Sequence, residues 1–452
     1  MNSILKTLTF GAVAIVAGGA AASYFAAGDT AKLMEEAGMG SIPALPDAKP
    51  PIFPTVKIAP AKGWTEGAKP KAADGLQVNS YAMDFNHPRW LYVLPNGDVL
   101  VAETNGPTRP DDGRGIKAWV MHFLMRQAGA GVQSANRISL LRDANHDGIP
   151  EVRTIFLSGL NSPFGMALIS GNLYVANTDA ILRFPYSNGT TEITVPGVKV
   201  ADLPAGPINH HWTKGLLASQ DGKHLYVSVG SNSNIGENGI EKEESRAAIH
   251  EIDLASGKTR IFASGLRNPV GLAMQVQTNE LWAVVNERDE LGSDLVPDYL
   301  TSVKDGGFYG WPYSYYGPHI DIRLTPQKPD LVAKAIIPDY ALGNHVAPLG
   351  LTFSEGSALT ERFKSGAFIG EHGSWNRNPP SGYKVVFVSF VDGRPAGKPL
   401  DVLTGFRDAD GNALGRPVGV TIAKDGALLV ADDVGNAIWR VTAAPEKSAA
   451  MQ

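Results

Sequence analysis

The chain has 452 residues, with 45 acidic against 40 basic side chains and a net charge of −5, which excludes the basic footprint of a nucleic-acid-binding protein. It contains no cysteine, so disulfides, thiolate metal sites and cysteine nucleophiles are excluded. Its 50 glycines and 31 prolines suit short strands joined by turns, and a repeat array can run as one domain where length alone would suggest about three.

In chain order, Lys6 precedes an uncharged run from Leu8 to Ala27 that offers the small residues Ala20-Ala21-Ala22. This pattern reads as an export signal over residues 1–27, either cleaved or kept as an N-terminal membrane anchor, and it implies a periplasmic protein. A buried apolar helix is the bland alternative. Pro43, Pro46, Pro50, Pro51, Pro54 and Pro60 follow, so residues 28–74 read as an extended tether. The folded unit is expected over 75–445, with a tail at 446–452.

Within the folded unit a Pro-x-Gly-apolar motif recurs at Pro163-Phe164-Gly165-Met166, Pro269-Val270-Gly271-Leu272, Pro348-Leu349-Gly350-Leu351 and Pro417-Val418-Gly419-Val420. Each copy leads into a turn and an apolar strand. Units beginning at Pro88 and Trp212 have the same plan. Asn96-Gly97, Asp221-Gly222 and Asp425-Gly426 are strong hairpin signals. Six units at this spacing, each an inner hairpin with two less regular outer strands, predict an all-β fold: a six-bladed β-propeller. A β-sandwich pair with chance matches is the weaker alternative. Ile116 to Gln127 lacks helix breakers and is a small helical insertion, packed on a blade or docking to a membrane surface or partner.

In a propeller the inner strands line the central channel, so residues where those strands start converge at one end of the axis. Here they are Asn161, Ser162, His210, His211, Arg267, Asn268, His345 and Arg416. The set is cationic, without a carboxylate. Two buried arginines near an axis call for an anion, either a polyanionic ligand or loop carboxylates such as Glu287 and Asp289. Histidine suits acid–base work near neutrality, and of the adjacent His210 and His211 one should face the channel. Separately, Asp143, Asn145, Asp147 and Glu151 alternate oxygen donors around Gly148, like the first half of an EF-hand loop. A structural Ca²⁺ site and a metal-free Asx-rich turn both fit. The clusters Phe308 to Tyr313 and Trp375 to Pro380 suit a planar cofactor, a sugar ring or plain propeller core.

These stretches carry a family resemblance. His210-His211-Trp212, Gly265-Leu266-Arg267-Asn268-Pro269, Phe308-Tyr309-Gly310-Trp311-Pro312, Gly370 to Arg377 and Gly415-Arg416-Pro417-Val418-Gly419-Val420 resemble the glucose/sorbosone dehydrogenase family of quinoproteins, most closely its L-sorbosone dehydrogenase-like branch. The resemblance implies pyrroloquinoline quinone (PQQ) and Ca²⁺ at one end of the axis. It implies oxidation of an aldose, sorbosone-like sugar or aldehyde, with electrons passed to a respiratory acceptor. By resemblance His211 is the general base, Arg267 sits at the quinone oxygen with Asn268 beside it, and Arg416 binds a cofactor carboxylate. Trp375 is a further candidate cofactor contact. The family's fifth-blade lysine is replaced here by Arg377 or Lys384, and its calcium carbonyls map near Arg288 and Asp289. The alternatives are a Ca²⁺-dependent propeller hydrolase such as a lactonase, and a non-enzymatic ligand-binding propeller.

Overall fold

The computed structural model describes residues 28–51, 55–108 and 123–445. The expected export segment 1–27, the first part of the helical insertion and the tail lie outside the described residues. Each of the six repeat units folds into an antiparallel sheet. Blade 1 comprises Pro88–Val93, Val99–Glu103, Arg137–Arg142 and Val152–Leu157, and blade 2 Met166–Ile169, Asn172–Ala176, Ala180–Pro185 and Val198–Asp202. Blade 3 comprises Leu216–Ala218, His224–Val229, Ala248–Asp253 and Thr259–Ser264. Blade 4 comprises Asn268–Gln275, Glu280–Asn286, Pro297–Ser302 and Tyr340–Asn344, and blade 5 Pro348–Phe353, Gly366–Glu371, Lys384–Val391 and Arg394–Thr404. Blade 6 takes Pro417–Ile422, Leu428–Asp432 and Ala437–Ala443 from the end of the chain and its outermost strand, Leu76–Ala82, from the beginning. That pairing, from Leu76 opposite Ala443 to Ala82 opposite Ile438, closes the ring by joining the two ends of the chain in one sheet.

The core lies between neighbouring blades. Trp90 and Phe164 meet at 4.6 Å between blades 1 and 2. Trp282, Phe353 and Phe390 meet edge to face between blades 4 and 5, with centroids 5.0 to 6.3 Å apart. Burying such rings contributes about 1.5–3 kcal/mol each.

The repeated glycine has a steric cause. The inner strands of adjacent blades run so close that a Cβ on Gly350 would stand 2.2 Å from Val418 O. On Gly165 it would meet Leu216 N at 2.2 Å, on Gly271 Leu349 O at 2.7 Å, and on Gly419 Arg89 O at 2.8 Å. Blade 3 lacks the proline but keeps the glycine: Gly215 faces Val270 O at 2.1 Å. Beside the motif the inner hairpin breaks register, between Pro269 and Leu272, Pro348 and Gly350, and Pro417 and Val420. A bulge of this kind re-aims the residues at the start of the strand.

The proline-rich segment, expected as a tether, is docked along the propeller. Met39–Gly40 pairs with Leu342 and Ala341 as an added strand of blade 4. Lys71–Ala72 pairs with Thr404 and Leu403 on blade 5. An extended chain makes no hydrogen bonds within itself, so its composition does not reveal whether water or a sheet edge completes them. The helical insertion continues through residues 123–130, and Met125 and Ala128–Ala130 reach the cavity described below. No helix among the described residues is long and apolar enough to cross a membrane.

Candidate active site

Inner strands start at one end of the propeller, and the second strands, running antiparallel, finish at that same end. A cavity of about 310 Å³ opens there, lined by both kinds of position. Strand starts contribute His87 and Arg89, His211 and Trp212, Arg267 and Asn268, and Arg416. Strand ends contribute Asn105, Asn286, Glu287 and Asp289, His372, and Asp433. His345 and Trp375 also line it. Asn161, Ser162 and His210 do not; they line a neighbouring groove.

His211 is held in one tautomer. Its Nδ1 is 2.9 Å from both the carbonyl oxygen and Oγ of Ser231, and the Ser231 hydroxyl donates to Ser233 O at 2.6 Å. A carbonyl can only accept, so Nδ1 carries the proton and Nε2 keeps its lone pair. Burial, and then the Arg267 charge, hold this imidazole well below its ordinary range; it is neutral at pH 7. Gly230 makes the arrangement possible: a Cβ there would stand 2.4 Å from both His211 Cβ and Asn268 Oδ1. That Asn268 oxygen is buried and has no hydrogen-bond partner.

Arg267 lies beside His211 but is largely committed. Its Nη2 donates to Asp289 Oδ2 at 3.0 Å and to Asn234 Oδ1 at 2.9 Å, its Nε to Asn234 O at 3.2 Å, and its Nη1 to Glu287 O. Asn376 Nδ2 binds the other Asp289 oxygen at 2.7 Å. Asp298 accepts from Glu287 N and Ala347 N, each at 2.7 Å, yet burial pushes its carboxyl up to about 8.

On the opposite wall Asp433 gathers partners from two other blades. Arg89 Nη1 donates to it at 2.6 Å, His372 Nε2 lies at 2.9 Å and His87 Nε2 at 3.5 Å. Burial would raise this carboxyl, but His372, His87 and Arg89 hold it well below the usual range. Burial lowers His87 to about 4 and lowers His372 as well, so Arg89 supplies the compensating charge. Arg416 differs from the other two arginines. It has no carboxylate partner among the described residues: Nη2 donates to Ala59 O at 3.1 Å, and Nη1 is 3.5 Å from the carbonyls of His372 and Gly373. Its Nε is buried and unpartnered, and its guanidinium lies over the Tyr383 ring at 4.8 Å.

Of the two readings left open for the arginines, the loop carboxylate holds for Arg267, through Asp289. Strand-end residues supply Glu287, Asp289 and Asp433, so two of the three cavity arginines are neutralised by the protein. Arg377 is buried away from the cavity, donating to Ser293 O at 3.1 Å and Pro379 O at 2.9 Å. Lys384 pairs with Asp401 at 3.1 Å in a surface cleft. Arg288 is fully buried between Glu287 and Asp321, each at 3.1 Å, and its guanidinium is a cation rather than a metal ligand. The nearby carbonyls are taken as well: Asp289 O accepts from Arg323 Nη1 at 2.8 Å and Glu287 O from Arg267. A Ca²⁺ ion at residues 287–289 would have to displace guanidinium groups, so this arrangement does not fit one. The Phe308–Tyr313 aromatics are core; Tyr309 is fully buried and donates to Ser302 O at 2.7 Å.

Asp143, Asp147 and Glu151 present ligand atoms all within 4.8 Å of one another, a cluster able to coordinate a metal. They sit between the third and fourth strands of blade 1. The third strand runs parallel to the inner one, so this turn is at the opposite end of the propeller from the cavity. Asn145 donates to Asp147 within the turn at 3.2 Å.

His87, Arg89, Gly230, Ser231, Asp298 and Asp433 escaped the sequence reading, and Asn376 entered it only as part of the Trp375 to Pro380 stretch. A signal existed for some. Polar residues close the second strand of several units, as in Ala102-Glu103-Thr104-Asn105, Val285-Asn286-Glu287, Gly370-Glu371-His372 and Ala431-Asp432-Asp433.

A family model described as TrAA12-like matches residues 70–298 and 331–444. An uncharacterized protein of Borreliella burgdorferi is 30% identical over 295 residues, covering 62% of this chain and 76% of that one. A pyrroloquinoline quinone-dependent pyranose dehydrogenase of Coprinopsis cinerea is 26% identical over 222 residues, which is 40% of this chain but 30% of that protein. Among solved structures, Carbohydrate-Active Enzymes Family AA12 of Trichoderma reesei superposes with a TM-score of 0.67 at 19% identity, covering 86% of this chain and 99% of that one. At that identity the likeness is one of fold, the six-bladed propeller of PQQ-dependent dehydrogenases and the fungal AA12 family.

Proposed function

The chain belongs to the TrAA12-like family, and from that premise we propose that it is a quinoprotein oxidoreductase that oxidises a pyranose, aldose or sorbosone-like sugar. We assign it to the periplasm, with a respiratory electron acceptor. The observation that carries this reading is the neutral His211, its Nε2 lone pair held in the wall of a cavity beside Arg267. The residues fit PQQ, a planar polycarboxylate. Arg416 lacks a carboxylate and has an unpartnered Nε, Asn268 Oδ1 is a buried acceptor without a donor, and Trp212 and Trp375 supply ring walls.

PQQ, when bound, supplies a two-electron acceptor for the hydride that leaves the sugar carbon. His211 takes the hydroxyl proton at Nε2, while its Nδ1–H stays on Ser231 O and fixes the ring. Arg267 is pre-oriented by Asn234 and Asp289, so its charge is in place without rearrangement. Arg416 would bind a cofactor carboxylate. No step is assigned to a metal.

The test is titration of the chain with PQQ, with and without Ca²⁺, followed by absorbance and then by a panel of pyranoses and L-sorbosone. A saturable spectral change that a sugar bleaches is expected. Absence of any saturable change in both conditions would sink the quinoprotein reading and bring the non-catalytic propeller forward.

A further inference from the structure

Residues 57–64 of the proline-rich segment run behind the cavity wall and bond to two residues that line it, Trp375 and Arg416. Lys57 N donates to Trp375 O at 2.7 Å, Ala59 O accepts from Arg416 Nη2 at 3.1 Å, and Ala61 N donates to Gln127 O at 2.8 Å. Trp64 ends the strap. Its ring packs edge-on against Phe406 and Trp439, with centroids at 5.7 and 5.4 Å, and its Nε1–H donates to Asp432 Oδ2 at 2.8 Å.

Asp432 is fully buried and receives four neutral N–H donors. Trp64 and Trp439 bind Oδ2, at 2.8 and 3.0 Å, and the backbone N–H groups of Arg416 and Gly435 bind Oδ1, both at 2.8 Å. Three of these donors belong to blade 6 and its turn; the fourth comes from the strap. Asp432 thus fixes the backbone of Arg416, the cavity arginine without a carboxylate, and it directly precedes Asp433, which organises the opposite wall.

We propose that Trp64 is a positioning residue of the active site, acting through Asp432 on Arg416 and Asp433, and that the strap over residues 57–64 is part of the site rather than a connection to it. The inference rests on the functional reading above only for the choice of probe. Side chains that touch Asp432 hold it in place by hydrogen bonds to the ionised form, and such outer partners set the affinity of the groups they orient.

Burial pushes Asp432 up to about 6, against the lowering pull of Trp439 and Trp64. Losing the Trp64 donor therefore raises it further. The charged and titratable groups around it are Asp433 on the same turn, Arg416 at the strand start, and beyond Asp433 the side chains of His87, Arg89 and His372.

Trp64→Phe keeps the packed ring and removes the N–H. In the full chain, carboxyl-carbon NMR should show Asp432 titrating above its natural value. PQQ affinity by absorbance titration should fall roughly tenfold, with its acid limb moved to higher pH. An Asp432 titration and a PQQ affinity both unchanged in Trp64→Phe would overturn the inference. A natural chain that takes up no PQQ would count against the functional reading, and the Asp432 titration alone would then decide the strap's role. Should the variant not fold, hydrogen exchange of the Trp64 indole N–H in the natural chain carries the test: it slows on PQQ addition if the coupling holds and is unchanged if it does not.

Discussion

The cavity and the acidic turn of blade 1 both gather ionisable side chains, and they are built on opposite principles. The turn takes its carboxylates from nine consecutive residues, Asp143 to Glu151. They are half-buried or exposed and satisfy one another's backbone, as Asp143 does with Asp147 N at 3.1 Å and Gly148 N at 2.7 Å. The cavity takes its groups from positions more than 300 residues apart, such as Arg89 and Asp433 at 2.6 Å. They are buried, so a charge left without a partner there, as on Arg416, is costly unless a ligand supplies one. A local cluster can be changed without consequence elsewhere. A convergent one ties chemistry and stability to the same side chains.

The comparison is tested hardest at His211. His211→Asn removes the lone pair that accepts the proton, and turnover should fall by about 10²–10⁴-fold while PQQ still binds in an absorbance titration. Retained turnover would mean that another group is the base. Next comes Asp433→Asn, which leaves Arg89 buried without its counter-charge and should cost about 3–5 kcal/mol in denaturant unfolding. A change no larger than that of a surface substitution would show that the wall is not held by this ion pair.

A smaller effect is expected from pH. His87 is neutral when folded, its pKa lowered to about 4 by burial, whereas an unfolded histidine titrates near 6.5. Below pH 6.5 the unfolded chain takes up the proton first, so this group removes stability as the pH falls from about 6.5 to about 4. His87→Gln should flatten the stability profile across that interval, as read from thermal unfolding at a series of pH values. The smallest effect belongs to the acidic turn. Asp147→Asn should change unfolding by no more than about 0.5 kcal/mol and leave turnover as it was. A loss of turnover would couple the two ends of the propeller and dissolve the contrast.

The six-bladed plan was legible because inner hairpins repeat, and each repeat must meet its neighbours in the same way. Gly165, Gly271, Gly350 and Gly419 recur because backbone of the next blade occupies the space of a side chain. The repeat also indicated that His211, Arg267, Asn268 and Arg416 converge, since a ring brings equivalent positions to one end of its axis. That much is dictated by local pattern and symmetry.

The tertiary structure decided what the pattern leaves open. It divided three similar arginines into two that are neutralised, Arg89 by Asp433 and Arg267 by Asp289, and one, Arg416, that is not. It fixed the His211 tautomer through Ser231, twenty residues away. It turned a proline-rich stretch without hydrogen-bond partners of its own into a strap that reaches Arg416 and Asp432. Pairings of this kind depend on which loops cross the end of the propeller and how deeply they are buried. Sequence specifies the residues that can pair; burial and distance in the folded chain select the pairs that form.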